Sequence, residues 1–537
     1  MNAVPPVPPP VIGRRTWAAA ALGALAAPLL FALASREVWE DYFITYRSSR
    51  HLAGGHGLVY QVGEAVHTFT SPLGVLLPAL GYVFTGSDGG ALWFLRIVSA
   101  LALAGTALLV ANHARDHGWK RTTLWFALCL GLFEAKVVAF SANGMETGLL
   151  VFFAALTWHE LTRPGGLRWR GLALAYAGLM WTRPDAFVLA GAMTGAWWLF
   201  RPRTDTVDSA RTWWLRLGGA LLLGAALYLP WILWAWQYYG SPVPQTIIAK
   251  SALTPGGLNI GRILAAPFGI LVQNTALDGL FTPIYATTTG WPLPLLIAGR
   301  VLARIAAFLW LVPFVPRPAR AASLTVLLGG IYFHQIMPYP WYFAPWTLLG
   351  ALALAGGGRA MVDRLPAAGA RGLCLLAAII AGGCLLVTVA QTYAARQQQR
   401  IIEEGGRQQI GLWLKEHARP TDRVFLEPIG YIGYYSQLKI LDFPGLCAPE
   451  VSRIVRSGPG GYARIITTLQ PDWLVLRPYE IESQNLLNSG ILNAYVGVGH
   501  WDQRAEIDAL NFLPGRNWLV FDAEFYVFRR RTADWPK

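Results

Sequence analysis

The chain has 537 residues, of which 54% are hydrophobic and only 14% are charged, and its formal net charge is +14. A soluble globular protein usually carries about 25% charged residues, so this composition excludes an ordinary soluble domain. Apolar runs of about 16 to 22 residues recur along most of the chain and indicate a polytopic α-helical membrane protein. The positive charge falls in clusters between these runs, which is typical of cytoplasmic loops and not of a nucleic-acid-binding surface.

Residues 1–15 are predicted to form a disordered cytoplasmic N-terminus, because the first ten residues are rich in proline. Two arginines then precede an apolar run at 16–35, which is predicted to be the first membrane span. The end of that run, at 32–34, also fits a signal-peptidase site. Retention as an anchor is favoured because first spans of polytopic proteins are usually kept, and in both cases the following residues face outward.

The later spans are oriented by lysine and arginine, which favour the cytoplasmic side. Neighbouring basic clusters must be separated by an even number of crossings, and this parity decides two ambiguous segments. Residues 71–85 are predicted to lie at the outer surface or to re-enter from it, and residues 171–200 to form a hairpin that breaks at 182–185. About eleven spans result, at 16–35, 91–111, 122–141, 146–161, 171–182, 186–200, 217–236, 293–314, 321–337, 343–357 and 372–392.

An odd number of crossings places the C-terminal part of the chain outside. The predicted domains are a transmembrane domain at 16–394, with outer loops at 36–90 and 238–292, and an extracytoplasmic (periplasmic) α/β domain at 395–537. In that last domain the composition changes, and short strand-like runs alternate with helical ones. Strands are predicted near 423–426, 438–441, 472–476 and 518–521, and helices near 411–417, 451–457 and 462–469.

This topology gathers polar and aromatic side chains from several loops on the outer side. They are Glu40, Asp41, Arg47, His51, His56, His67, Asn143, Glu146, Arg183, Asp185, Gln245, Lys250, His334, Tyr339, Tyr342 and Trp346. Carboxylates there could act as a general base on a hydroxyl, cations could bind a phosphate, and aromatic rings suit sugar faces. We interpret the set as an outward-facing cavity for glycosyl transfer from a polyprenyl-phosphate sugar. The sequence has no nucleotide-binding glycine-rich loop, which argues against a nucleotide-sugar donor.

Several sequence pieces, in this order, resemble the GT-C superfamily of integral-membrane glycosyltransferases. Within it, the chain is similar to bacterial polyprenyl-phosphate-sugar transferases, including the mycobacterial arabinofuranosyltransferases. The pieces are EDYFITYR at 40–47, GGHGLVY at 54–60 with GE at 63–64, TSPL at 70–73, NGMET at 143–147, TRPD at 182–185, YYGSPVPQT at 238–246 followed by Lys250, YFAP at 342–345, and EPIGYIGYYS at 427–436 followed by Asp442.

The resemblance implies an inverting transferase whose catalytic aspartate lies in the first outer loop, and this role falls on Asp41 as general base. Glu40 is assigned to the same catalytic pair. Its role stays open between assisting the base, holding a metal ion and pairing with Arg47. A divalent cation could therefore be a cofactor, although an obvious set of ligands is lacking.

Arg183, Lys250 and Tyr342 are predicted to bind the donor phosphate. Each has a simpler alternative: a mutual pair of Arg183 with Asp185 at a helix turn, an ordinary surface lysine, and an aromatic belt at the membrane interface. Where relatives often have an Arg-Tyr pair, Trp341 precedes Tyr342, so one candidate phosphate-binding cation is missing.

Glu146, Asn143, Arg47 and His56 are predicted to contact the substrates. Glu146 could instead favour the start of the next helix, where an acidic residue is stabilised by the helix dipole. His56 could equally be a turn residue packed between glycines.

Two other functions stay open, namely a transporter or flippase of lipid-linked sugar and a noncatalytic glycan-binding membrane protein. A transporter would need a polar path across the bilayer and typically an internal repeat, and the sequence shows neither. The expected partners are a polyprenyl-phosphate sugar donor, a glycan, lipid or protein acceptor, and the lipid bilayer, without nucleic acid. The expected location is the bacterial cytoplasmic (inner) membrane, with the N-terminus cytoplasmic and the C-terminal domain periplasmic.

Overall fold

The structure is a computed structural model that describes residues 12–202, 209–253, 259–273, 275–284, 290–336 and 338–531. The disorder predicted for the first ten residues lies outside these ranges. Within them, the first helix already begins at Arg14, so the predicted disordered segment at 1–15 extends too far.

A bundle of helices occupies the first three quarters of the chain. In chain order its members are α1 (Arg14–Ser35), α2 (Glu40–Ala53), α3 (Pro72–Thr85), α4 (Asp88–Asp116), α5 (Arg121–Gly131), α6 (Ala135–Phe140), α7 (Thr147–Thr162), α8 (Trp169–Thr182), α9 (Ala186–Phe200), α10 (Ala210–Tyr239), α11 (Gln245–Leu253), α12 (Ile260–Val272), α13 (Leu293–Phe308), α14 (Arg317–Phe333), α15 (Ala344–Val362) and α16 (Ala367–Gln398). Short 3₁₀ turns lie at Ala276–Gly279, Leu309–Leu311 and Pro340–Tyr342.

Helices α15 and α16 show how the bundle is organised. In α15 every residue from Ala344 to Gly357 is buried, and most are alanine, glycine or leucine. Small side chains let neighbouring helices approach closely, and such packing holds helices together in lipid. In α16, by contrast, Leu375, Ile379 and Leu386 are more than half exposed, as on a helix face that contacts lipid tails.

The multi-pass helical fold predicted from composition is confirmed, while the count of eleven crossings stays a prediction. In the described residues, five helical stretches are both long and apolar enough to cross a membrane. They are Arg14–Ser35, Asp88–Asp116, Ala210–Tyr239, Leu293–Leu311 and Ala367–His417. The 14 residues of α3 cover about 21 Å, which is less than the hydrocarbon thickness of about 30 Å. This length fits a helix that lies at the surface or re-enters.

Two of the predicted membrane segments are interrupted by a break between helices. The predicted hairpin break is confirmed, because α8 ends at Thr182 and α9 begins at Ala186. The span predicted at 122–141 consists of two helices, because α5 ends at Gly131 and α6 begins at Ala135. There, the Glu134 side chain caps α6 by accepting hydrogen bonds from the backbone N–H groups of Lys136 and Val137. Glu134 and Lys136 also form a buried ion pair, and their attraction offsets part of the cost of placing two charges inside the bundle.

The remaining residues form a five-stranded mixed sheet with short helices on both faces, which we call the sheet region. Its elements are α17 (Gln408–His417), β1 (Arg423–Leu426), α18 (Tyr431–Ser436), β2 (Lys439–Asp442), α19 (Pro449–Arg456), α20 (Gly461–Leu469), β3 (Trp473–Leu476), α21 (Pro478–Ser483), β4 (Tyr495–Asp502), α22 (Arg504–Asp508), α23 (Arg516–Phe521) and β5 (Glu524–Arg530), with a 3₁₀ turn at Ile491–Ala494. The strand order is β2-β1-β3-β5-β4. Strands β2 and β3 run parallel to β1, whereas β5 is antiparallel to β3 and to β4.

Alternation along the strands gives the sheet two hydrophobic layers. Val424 and Leu426 pack on one side, and Phe425 packs on the other. The strands predicted near 423–426, 438–441 and 472–476 are confirmed to within one residue, and so are the three predicted helices in outline.

The strand predicted at 518–521 is wrong, because these residues end the helix α23. Only Leu519 of that helix is buried, so the apolar run reflects a partly exposed helix and not a strand. The two strands that complete the sheet, β4 and β5, were not predicted. In β4 the glycines at 497 and 499 and the polar residues near its end weaken the usual strand signal.

Helix α16 continues without interruption into the sheet region. A π-helix at Gln399–Arg407 joins α16 to α17, so that one helical run extends from Ala367 to His417. The π-helix buries Glu403 and Arg407 between the bundle and the sheet. It therefore brings charged side chains next to the first turn of α2.

Candidate active site

The first turn of α2 carries Glu40 and Asp41, where the helix dipole favours acidic residues. The turn is fixed at its start by Trp39, whose backbone N–H donates to the carbonyl of Asn143 at 2.8 Å. The Trp39 ring also packs edge-on against Phe140 and Trp341. The orientation of the acidic pair is thus set by the bundle below it.

The Glu40 carboxylate is bound by the C-terminal part of the chain. It accepts hydrogen bonds from the backbone N–H groups of Gly430 at 2.6 Å and Tyr431 at 3.2 Å, and lies 3.6 Å from Arg407. A Cβ atom at Gly430 would collide with the carbonyl oxygen of Glu40, so this close approach requires glycine. Burial raises the pKa of Glu40 to about 7, against the opposing effect of Arg407. The alternative that Glu40 pairs with Arg47 is wrong.

Asp41 has a different environment from its neighbour. Its half-buried carboxylate makes neither a hydrogen bond nor an ion pair with any residue in the described ranges. Burial raises its pKa above the usual range, and the nearby charges of Lys250, Arg407 and Arg183 oppose that rise. The side chain is therefore a carboxylate held among three cations without direct contact to them.

Arg183 lies at the hairpin between α8 and α9 and is 7% exposed. Its guanidinium donates two hydrogen bonds to Asp185, at 3.0 and 3.2 Å, and lies 3.7 Å from the carboxylate of Glu146. It also stacks on the ring of Tyr342, 4.1 Å from the ring centre. The mutual pair with Asp185 is thus present, and it orients the cation next to Asp41.

Aromatic rings form the wall opposite α2. Tyr339 and Trp341 stack with their centres 4.9 Å apart, and Tyr342 meets Tyr339 edge-on. The Lys250 ammonium lies over the Tyr339 ring, 4.6 Å from its centre. Two cations, Arg183 and Lys250, thus lie on tyrosine rings of this wall, near Asp41 in the first turn of α2.

Glu146 occupies the N-cap position of α7, but its side chain makes no capping hydrogen bond. The carboxylate faces Arg183 instead, and its charge contributes to the electrostatic environment that includes Asp41. We call the group that converges here the Asp41 site. It comprises Asp41, Glu146, Arg183, Lys250, Tyr339 and Tyr342.

Comparisons with known proteins cover parts of the chain by sequence and nearly all of it by fold. A family model described as a domain of unknown function, DUF8728, matches residues 391–527. The terminal β-(1→2)-arabinofuranosyltransferase of Mycobacterium tuberculosis is 26% identical over 280 residues, which are 44% of this chain and 41% of that protein. The protein of the same name from Corynebacterium glutamicum is 29% identical over 244 residues, 40% of this chain and 33% of that protein. The matches thus span less than half the length of these curated relatives.

Solved structures extend the likeness to the whole chain. The crystal structure of ArnT from Cupriavidus metallidurans bound to undecaprenyl phosphate has a TM-score of 0.54 at 13% identity, covering 98% of this chain and 100% of that one. The apo structure of the same protein gives a TM-score of 0.53. This chain has the fold of ArnT. The resemblance predicted from the sequence motifs is therefore confirmed at the level of the fold.

Within this fold, three residues that were predicted to bind substrate have other contacts or lie at another place. Arg47 is 2% exposed and donates hydrogen bonds to the carbonyls of Gly433 and Leu438 and to the Gln61 side chain. The prediction that it binds substrate is contradicted by these contacts, because they tie α2 to the sheet region.

His56 is exposed and follows the other end of α2. A helix of 14 residues separates the two ends by about 20 Å, so His56 lies far from Asp41, and its contact with substrate stays a prediction. Asn143 is completely buried, with its amide 3.4 Å from the Glu37 carboxylate. It supports the segment before α2 and does not face the Asp41 site.

One cation near Asp41 was not predicted from the sequence. Arg407 bonds to Glu403 at 2.9 Å and to Asp522 at 2.7 Å, and it also faces Glu40 and Asp41. The only signal in the sequence is an acidic residue four positions before an arginine, just after the last apolar run. Such spacing usually marks an exposed helix pair, so its burial could not be inferred.

The structure offers one group of three metal-ligand side chains in the described residues, and it lies away from Asp41. His500, Asp502 and Glu524 come together on β4 and β5. Arg504 already contacts both carboxylates of that group. At the acidic pair itself, the Glu40 carboxylate is engaged by the sheet region, so the use of a divalent cation there stays a prediction.

Proposed function

We propose that this protein is a membrane glycosyltransferase that moves one sugar from a polyprenyl-phosphate donor to a hydroxyl group of an envelope glycan, lipid or protein. The observation that carries the proposal is the Asp41 carboxylate, which lies among Lys250, Arg183 and Arg407 and makes no hydrogen bond or ion pair with another residue in the described part of the chain. A base and several cations in one half-buried site suit a reaction in which a hydroxyl loses a proton and a phosphate leaves.

The chemistry follows from these positions. The acceptor hydroxyl oxygen forms a bond to the anomeric carbon of the sugar while Asp41 takes the hydroxyl proton. The bond between that carbon and the phosphate oxygen breaks, and polyprenyl phosphate leaves with the electron pair. A single displacement of this kind inverts the configuration of the anomeric carbon.

Arg183 and Lys250 bind the phosphate and stabilise its charge as the bond breaks. Both cations lie on tyrosine rings, which fixes them toward the site. Glu40 is a positioning residue in this scheme, because its carboxylate ties the first turn of α2 to Gly430 and Tyr431.

The donor and the location are part of the proposal. The names of the sequence relatives favour arabinofuranose as the first sugar to test, and ArnT bound to undecaprenyl phosphate supports a polyprenyl-phosphate carrier. The basic clusters and an odd number of crossings support a site on the outer face of the cytoplasmic membrane, with the N-terminus cytoplasmic.

The test uses the full chain in proteoliposomes, with polyprenyl-phosphate donors that carry arabinofuranose or other sugars and with an arabinofuranose oligosaccharide as acceptor. We expect mass spectrometry to detect one added sugar. Asp41→Asn should lower kcat by about 10² to 10⁴, because the amide cannot take the proton.

Asp508→Asn serves as the matched control, since Asp508 is exposed on the sheet region. Near wild-type turnover of a folded Asp41→Asn protein would remove Asp41 from the role of base. Movement of a lipid-linked sugar across the membrane without any covalent product would replace the transferase by a flippase.

A further inference from the structure

Beyond the carboxyl ends of β1 and β3, the sheet region has a surface that the reaction scheme above does not use, and we call this surface the crevice. Strand β1 lies between its parallel neighbours β2 and β3, and the chain leaves β1 and β3 toward opposite sides of the sheet. In open α/β sheets, ligands bind beyond the carboxyl ends of the strands at such a switch point. The first residues after β1 and β3 are Glu427 and Arg477.

Arg477 is a buried cation that contacts several side chains of this crevice. It is 2% exposed and bonds to Asp522 at 2.6 Å, to Glu480 at 2.9 Å and to Glu427. Glu480 is buried like the arginine, whereas 42% of the Glu427 side chain is exposed. One oxygen of Glu427 is thus held by a buried cation while the carboxylate faces the crevice.

Two exposed aromatic rings line the same crevice. Tyr479 and Phe521 lie with their ring centres 4.4 Å apart and are 36% and 45% exposed. The Arg477 guanidinium lies within 5.3 Å of both ring centres, so it anchors the rings next to Glu427. Exposed aromatic faces beside a fixed carboxylate suit a sugar, whose C–H faces pack on rings and whose hydroxyls donate hydrogen bonds.

The crevice adjoins the Asp41 site. Burial, then Asp41 and Tyr342, and then Glu427 raise the pKa of Tyr339 to about 12, so this ring lies within electrostatic reach of both carboxylates. The same proximity follows from the chain of contacts that leads from Arg477 through Asp522 and Arg407 to Glu40.

We propose that this crevice binds the acceptor, a neutral oligosaccharide rich in hydroxyl groups. Glu427 accepts a hydrogen bond from one sugar hydroxyl, and Tyr479 and Phe521 pack against the sugar faces. A bound acceptor then extends past Tyr339 and presents another hydroxyl to Asp41. The proposal rests on the proposed function and adds to it the class of acceptor and the residues that bind it.

The test compares Glu427→Gln, Tyr479→Ala and Phe521→Ala with wild type in the proteoliposome assay, using the arabinofuranose oligosaccharide. Each variant should raise the KM for the acceptor about tenfold to a hundredfold, with the KM for the donor unchanged. Glu416→Gln is the matched control, because Glu416 is exposed near the end of α17, which leads into the amino end of β1 and not its carboxyl end.

A second measurement separates this proposal from the transferase assignment. Binding of the same oligosaccharide to the purified protein, measured without any donor, should weaken by the same factor in the three variants. Weaker binding supports the crevice even if no donor in the panel is used. Unchanged acceptor KM in an active enzyme, or unchanged binding by folded variants, would overturn the proposal and leave the role of Asp41 intact.

Discussion

Two buried aspartates near the same arginine have opposite properties. Asp522, in the sheet region, contacts Arg407 at 2.7 Å and Arg477 at 2.6 Å. Although burial opposes ionisation, these two arginines lower the pKa of Asp522. Asp41, in the first turn of α2, senses Arg407 only from a greater distance, and burial raises its pKa.

The comparison distinguishes two kinds of charged side chain. Asp522 is paired and stabilises the fold, whereas Asp41 is available to react. We call Glu40, Glu403, Arg407, Asp522 and Arg477 the charge chain. Each of its members contacts an opposite charge, so removal of one leaves others buried and unpaired. The Asp41 carboxylate has no such contact in the described residues, and it can accept a proton without breaking the fold.

The largest effect on stability should follow from the loss of the charge chain's central cation. Arg407→Met leaves Glu40, Glu403 and Asp522 without their common partner, and should lower the free energy of unfolding by about 3 to 5 kcal/mol. Denaturant unfolding of the purified protein in detergent measures this change. Arg400→Met is the control, because Arg400 and Glu506 form an exposed pair worth at most about 1 kcal/mol. Equal effects of the two substitutions would remove the distinction between the regions.

The second prediction contrasts two buried arginines. Arg183→Gln should raise the KM for the donor about tenfold to a hundredfold, because a charged hydrogen bond to the phosphate is lost. Arg47→Gln should leave that KM unchanged in the folded protein and lower stability by about 1 to 3 kcal/mol, because buried carbonyls lose their donor. Donor titrations together with unfolding curves distinguish these outcomes. A raised donor KM in the Arg47 variant would return Arg47 to the site.

The third prediction concerns the pH dependence of Asp41. The base must be ionised, so kcat/KM should fall as the pH drops through its pKa, which lies above the usual 3.8. Lys250→Met removes a charge that lowers this pKa, and should therefore move the acidic limb of the profile to higher pH. Lys415→Met, an exposed lysine on α17, is the control. A limb that stays in place or moves to lower pH would place Lys250 too far from Asp41 to influence it.

The smallest effect is expected at the far end of α2. His56→Ala should change neither kcat nor either KM by more than about twofold, since an exposed side chain remote from the reaction contributes little. The transfer assay under saturating and limiting donor measures this directly. A larger loss would extend the active site along α2.

Sidedness and motif order were enough to predict most of the Asp41 site. Asp41, Arg183, Lys250, Tyr342 and Glu146 were assigned to one side of the membrane, and the structure brings them together. Knowing that two residues lie on the same side of the membrane does not reveal how far apart they are, however. For that reason sidedness grouped His56 with Asp41 although a whole helix separates them.

Contacts between distant parts of the chain account for the errors. Arg47 donates hydrogen bonds to carbonyls almost 400 positions later in the sequence, and the partners of Glu40 are equally remote. The charge chain depends on the burial of the π-helix at Gln399–Arg407. This segment follows the last apolar run, so hydropathy does not reveal its burial. The Glu134 and Lys136 pair is also stabilised by a distant contact, because the Lys136 ammonium donates to the carbonyl of Thr282.

The π-helix at Gln399–Arg407 makes the number of residues in this segment as important as their identity. Each π turn accommodates one residue more than an α turn. Because these turns are already widened, a further residue inserted before Arg407 is not absorbed locally and rotates everything beyond it by about 100° about the helix axis. Arg407 would then point away from Glu40, and the sheet would lose its alignment with α2. A change in the length of this linker therefore misaligns two halves of the molecule at once.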